Sequence, residues 1–333
     1  MIAACIFGCS GPHLIPEEAA FFREVQPWGF ILFGRNVQTS EQVRALVADL
    51  RASVDRPDAP VLIDQEGGRV QRLRPPHWRR YPPARAYAGH DPELAWLGGR
   101  LIAHDLAGLG INVDCAPVLD VPAPGAHDII GDRAYADDPH KVVRLARAFA
   151  EGLIAGGVVP IVKHTPGHGR AGADSHLDLP VVNETRAKLE AMDFQPFRAL
   201  ADLPMAMTAH VVYDAIDPVR PATTSPLVIE EIIRGVIGFD GLLISDDLSM
   251  KALSGDFTIR ARDALSAGCD VVLHCNGDMD EMAAVAAGVR PLKDLARRRA
   301  DAALASVSAP PQPFDADAAG QRFDAAFSQR VEA

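Results

Sequence analysis

Eight short apolar runs constrain this chain more than any other feature. They are Ile2–Phe7, Gly29–Phe33, Pro60–Ile63, Ile111–Cys115, Val158–Val162, Met205–Ala209, Leu242–Ile244 and Asp270–Leu273. Most are followed by a polar or glycine-rich turn and then by a helical pattern. Short runs with little polar alternation read as strands buried on both faces. Strands that alternate with helices pair in parallel through right-handed crossovers. Eight such units predict an α/β protein, a single (β/α)8 TIM-type barrel. The 333 residues, 48% hydrophobic, suffice for one core of that size. Residues 1–308 are expected to form the barrel. Residues 309–333, which open near APPQP, are expected to form a C-terminal tail packed on it, extended at first and then a short helix.

The helices between the strands carry start and stop signals. Ser40 is placed to cap a helix whose apolar positions, Val43, Leu46, Val47 and Leu50, follow the i, i+3, i+4, i+7 spacing. Asp91-Pro92, Asp138-Pro139 and Ser225-Pro226 each set a capping side chain before a first-turn proline. Gly156-Gly157 and Gly268 end helices just before strands. Pro196 predicts a break in the helical stretch from Thr185 to Ala201. Leu292–Val307 reads as a last barrel helix.

Charge and cysteine usage narrow the partners. A net charge of −11 and a pI near 5.4 leave no basic stripe for phosphates, so no nucleic-acid partner is expected. Arg69, Arg72, Arg74, Arg79 and Arg80 form a local basic cluster, either a solvated face or a site for an anionic or hydroxyl-rich ligand. The five cysteines are odd in number, lie mostly in apolar runs and lack zinc-ligand spacing. They read as buried thiols of a reducing compartment. The start, MIAACIFG, has neither the charged region of a signal peptide nor the length of a membrane span. A cytoplasmic monomer with no membrane partner is expected.

Packing does not explain Val162–His176, VKHTPGHGRAGADSH. After a buried run it holds three histidines, one lysine and one aspartate in a glycine-rich loop. In a barrel of this type the active site gathers at the C-terminal strand ends. Strand three ends in Asp64-Gln65-Glu66-Gly67-Gly68-Arg69, with Arg72 beyond. Strand four brings Asp114, Asp120 and Gly131-Asp132-Arg133. Strand five brings Lys163, His164 and the histidine loop. Strands six to eight bring His210, Ser245-Asp246-Asp247, and His274 with Asn276. The P-loop and dinucleotide fingerprints are both missing, so no nicotinamide or other cofactor is indicated. Carboxylates and guanidiniums suit a neutral polyol. A strand-tip carboxylate can act as nucleophile and a loop histidine as acid and base.

Plainer readings stand beside these. Asp64 can cap its own loop. Asp246 and Asp247 are adjacent, so one faces the site while the other caps a helix starting near Leu248. His210 and His274 can be satisfied rim histidines, and His168 can serve only to hold its loop. Asp174 and His176 can form a surface pair, or the carboxylate can set the histidine tautomer.

Taken together, KHTPGHG followed by DSH, ISDDLSM at 244–250, IDQEGGRVQRL at 63–73 and IIGDRAYADDP at 129–139 resemble the bacterial β-N-acetylglucosaminidases of glycoside hydrolase family 3. These are the single-domain NagZ-type enzymes of peptidoglycan recycling. The resemblance implies a retaining mechanism. Asp246 would be the nucleophile and His176 the acid/base, oriented by Asp174. Asp64, Arg72, Arg133, Lys163 and His164 would hold the N-acetylglucosamine (GlcNAc) ring. The implied substrate is a muropeptide disaccharide, GlcNAc β-1,4-linked to anhydro-N-acetylmuramic acid, with or without peptide. Thr165 departs from the pattern, where an aromatic residue is expected.

Three alternatives remain open on the sequence. One is phosphorolysis at the same site, because a neutral imidazole does not repel phosphate. Another is a metal-dependent barrel hydrolase using His164, His168, His176 and an aspartate, although Pro166 and Gly167 disfavour a helical histidine pair. The third is a sugar-binding protein without turnover.

Overall fold

Eight parallel strands close on themselves: β1 (Ala3–Phe7), β2 (Pro27–Leu32), β3 (Val61–Ile63), β4 (Val113–Asp114), β5 (Val159–Thr165), β6 (Met205–Thr208), β7 (Leu242–Asp247) and β8 (Val271–His274). Each pairs with its successor, and β8 returns to β1 through Cys5↔Val272, Ile6↔Leu273 and Phe7↔His274. The barrel predicted from the apolar runs is the one formed. This computed structural model describes residues 1–175, 178–307, 311 and 313–328. Among these, no helix is long and apolar enough to cross a membrane. All five cysteines are buried thiols.

Two strands run further than their apolar runs. β5 continues through Lys163, His164 and Thr165, and β7 through Ser245, Asp246 and Asp247. At both extensions the register with a neighbour shifts, between Val162 and Thr165 and between Ile244 and Asp247. Such irregularities re-aim side chains at a barrel rim. Polar residues end an apolar run in the sequence, but backbone pairing carries on past them.

The caps follow the local signals with one correction. Helix Ser40–Ser53 is capped by Thr39, whose side chain accepts the Gln42 N–H, so Ser40 is its first helical residue. Asp91 and Asp138 cap Pro92–Ala107 and Pro139–Ala155 as expected. Ser225 Oγ accepts the Val228 N–H at 3.1 Å. The stretch near Pro196 divides into Arg186–Lys188, a wide turn at Leu189–Asp193, and Gln195–Ala199. Proline has no N–H to continue the ladder. The last barrel helix, Asp294–Ala305, starts two residues inside the expected span, after the extended Lys293. Beyond it, helix Ala316–Ser328 lies against Pro92–Ala107, and its Phe323 enters the main core beside Tyr81 and Tyr87.

Candidate active site

Asp64 follows directly on β3, and Lys163 reaches it from β5. Lys163 Nζ lies 2.9 Å from Asp64 Oδ1 and 2.6 Å from Glu66 Oε1. Arg72 Nη2 holds the other Asp64 oxygen at 2.8 Å. Arg133 closes the chain of charges with a bidentate pair to Glu66, at 2.9 and 2.8 Å. A short hairpin, Gln65–Gly67 with Val70–Gln71, sets this spacing. Gln65 accepts the backbone N–H groups of Arg72 and Leu73 and so folds Arg72 back onto Asp64. Arg69 grips the carbonyls of Ile129 and Ile130, at 2.9 and 3.2 Å, on the loop that carries Arg133.

Burial alone would push the Asp64 and Glu66 carboxyls up. Lys163 and Arg72 outweigh it at Asp64, and Arg133 and Lys163 at Glu66, so both lie below the ordinary carboxylate range, Glu66 at about 2. Lys163 is raised for the reciprocal reason. Folded values below unfolded ones mean stabilisation that is full above about pH 5 and is lost as pH falls toward about 2. Urea midpoints are therefore expected to fall between about pH 5 and 3, less steeply in Glu66→Gln than in the wild type. Parallel slopes for the two proteins would detach Glu66 from acid stability.

His164 is fixed by Asp120. Its Nδ1 lies 2.7 Å from Asp120 Oδ2, and its Nε2 faces Arg133 Nη2 at 3.5 Å. Buried Asp120 is held below its usual range: burial opposes this, and His164 with its hydrogen bond overcomes it. Asp114 shows the opposite. Burial pushes it up to about 8, although it accepts the Gln65 N–H.

The adjacent aspartates divide their work. No helix starts near Leu248, the next being Phe257–Ala267; Asp247 caps a turn instead, accepting the Ser249 N–H and hydroxyl and the Cys275 N–H. Asp246 accepts the Asp247 N–H at 2.8 Å and lines the cavity. Burial would raise Asp246; His210 and His164, that N–H and Lys163 bring it below its usual value instead. His210 is fully buried, with Nε2 donating to the Asp247 carbonyl at 2.9 Å and Nδ1 against Thr223. His274 pairs with Glu281 at 2.8 Å and packs edge-on against Phe7 and Phe257.

One cavity of about 400 Å³ is lined by Asp64, Arg72, Arg133, Lys163, His164 and Asp246, with Phe33, Met207 and Leu273 as apolar wall. Six residues singled out in the sequence thus share one space. Asp174 sits half-buried on the histidine loop. His176 lies outside the described residues. Among those described, no group of three His, Cys, Asp or Glu side chains is arranged to hold a metal ion. Thr165 ends β5 fully packed, its carbonyl accepting the Ala209 N–H.

Glu66 and Asp120 belong to this site but stood without a role in the sequence. Glu66 is two residues from Asp64, and alternation places such a pair on one side of an extended chain. That signal was present. Asp120 had none, because its partner follows from β5. The arginine cluster divides: Arg69 and Arg72 serve the site, Arg74 bonds the Gln71 carbonyl, and Arg79 meets Asp324 of the terminal helix.

Fixed carboxylates and guanidiniums around a sugar-sized hollow at a barrel rim are fitted to a glycoside, and the class is a barrel glycoside hydrolase. The sequence profile of the Glycosyl hydrolase family 3 N terminal domain matches residues 16–309. A beta-hexosaminidase of Alkalilimnicola ehrlichii is 42% identical over 286 residues, covering 83% of this chain and 81% of that protein. One from Pseudomonas aeruginosa is 40% identical over 292 residues, covering 86% of each. NagZ from Neisseria gonorrhoeae, solved in complex with N-trifluoroacetyl-D-glucosamine, superposes with a TM-score of 0.85 at 34% identity over 98% of both chains. The chain belongs to glycosyl hydrolase family 3, among the NagZ-type β-N-acetylglucosaminidases.

Proposed function

We propose that the protein is a retaining exo-β-N-acetylglucosaminidase acting on GlcNAc β-1,4-linked to anhydro-N-acetylmuramic acid, with or without peptide, in cytoplasmic cell-wall recycling. The observation that carries this reading is an ionised Asp246 sharing one cavity with the Asp64–Lys163–Glu66–Arg133 network. Asp246 attacks the anomeric carbon and forms a covalent glycosyl ester. His176, oriented by Asp174, protonates the departing oxygen and then deprotonates the incoming water. Retaining glycosidases usually use two carboxyl groups about 5 Å apart; here a histidine takes the second role. Asp64, Arg72, Arg133, Lys163 and His164 hold the ring. Arg72 Nε is buried with no hydrogen-bond partner among the described residues, which leaves a donor for a sugar oxygen. The N-acylated sugar bound by the Neisseria neighbour supports a 2-acylamino substrate. The protein works as a monomer.

The test is hydrolysis of 4-nitrophenyl N-acetyl-β-D-glucosaminide and of the anhydro disaccharide, with EDTA present, followed by NMR. Both are expected to be cleaved, with the β-anomer released first. Inversion would remove the covalent route, and loss of activity in EDTA would return the metal-dependent reading. Sugar 1-phosphate formed on adding phosphate would make it a phosphorylase.

A further inference from the structure

Ser175, the middle residue of the Asp174-Ser175-His176 triplet, is pinned twice. It is buried, with Oγ 3.2 Å from His168 Nε2. Its carbonyl accepts the Ala252 N–H at 3.3 Å, on the turn that follows β7 and Asp246. His168 is fixed in turn. Its N–H donates at 2.6 Å to Asp120 Oδ1, and the other oxygen of that carboxylate holds His164. His168 is 3% exposed and lines the cavity, and its Nδ1 has no hydrogen-bond partner among the described residues. Burial pushes this ring down to about 4, so it is neutral where enzymes work. The loop also hugs the barrel between the two residues: a Cβ on Gly169 would lie 2.0 Å from the Val121 carbonyl oxygen. A loop with no functional geometry to keep does not need an anchor at each of these points.

We infer that His168 and Ser175 are positioning residues for the acid/base, their hydrogen bond tying the triplet to the carboxylate that orients His164. The inference rests on the acid/base role proposed for His176. Neither residue needs to touch the reacting atoms. Their bond fixes Ser175, the neighbour in sequence of the proposed acid/base, and restricting a reacting group to its working geometry lowers the entropic part of a barrier.

The experiment compares Ser175→Ala, His168→Asn, the double variant and His176→Ala. Each is assayed for kcat/KM on 2,4-dinitrophenyl and 4-methoxyphenyl N-acetyl-β-D-glucosaminides, with Tm measured in parallel. The first leaving group departs without a proton and the second needs one. Part of the ~10²–10⁴-fold worth of acid catalysis should be lost: about tenfold or more on the methoxyphenyl substrate and less than about threefold on the dinitrophenyl one. The double variant should cost no more than the worse single, because the two residues share one bond. Equal losses on both substrates, or no loss, would overturn the inference, and Ser175→Ala removes too little to fail in folding. His176→Ala separates the two readings. If it is leaving-group selective and the others are not, positioning alone fails. If it is not selective, the acid/base role itself fails.

Discussion

Asp246→Ala is expected to lower kcat/KM by more than about 10⁴-fold, beyond the ~10²–10⁴ typical of losing an acid/base. The reason is the proposed route, not a single contact: with Asp246 as the proposed nucleophile, its removal leaves no carboxylate to form the glycosyl ester. Folding should be nearly untouched. Among the described residues the Asp246 side chain accepts one backbone N–H, from Asp247, and such a bond contributes about 1 kcal/mol. The turn beyond it is held by Asp247, which the variant retains. Kinetics on an aryl N-acetylglucosaminide, beside a thermal melt, checks both parts. A variant within about 10²-fold of the wild type would take the nucleophile role away from Asp246.

Lys163→Met is expected to be the most damaging single change to stability. Its side chain is 3% exposed, and its ammonium lies between the carboxylates of Asp64 and Glu66, whose side chains are 15% and 6% exposed. Methionine fills much of the same volume but leaves Asp64 and Glu66 facing one another in a dry setting. Removing one partner of a buried ion pair typically costs about 3–5 kcal/mol, because the remaining charge is uncompensated. Arg72 and Arg133 still neutralise part of it, which favours the lower end. Urea unfolding at neutral pH gives the number. Adding Glu66→Gln should recover part of the loss, since one stranded charge is then gone. A single variant within about 1 kcal/mol of the wild type would mean that the arginines carry the network alone.

Much of this molecule was legible before its structure was known. Eight strands, their parallel closure, the proline breaks and most helix caps follow from patterns within a few residues. So does the list of polar groups at the strand ends. Where the reading stopped short, the cause was distance along the chain. β5 and β7 continue through Lys163-His164 and Ser245-Asp246-Asp247 because neighbouring strands offer backbone partners there. Thr39 and not Ser40 caps its helix because its side chain reaches the Gln42 N–H, a matter of where the helical turn begins. Asp120 gains its role only when β5 and the loop after it bring His164 and His168 to its two oxygens.

By itself the sequence determined the barrel and which residues stand at its mouth. Burying apolar runs and satisfying each backbone group are local demands with few solutions. Only the tertiary structure decided who pairs with whom. Lys163 meets Asp64 across 99 residues, and Arg133 meets Glu66 across 67. Those distances are set by strand register and by closure of the ring. That closure turns scattered carboxylates and cations into one charge-balanced cavity and leaves Asp246 ionised inside it.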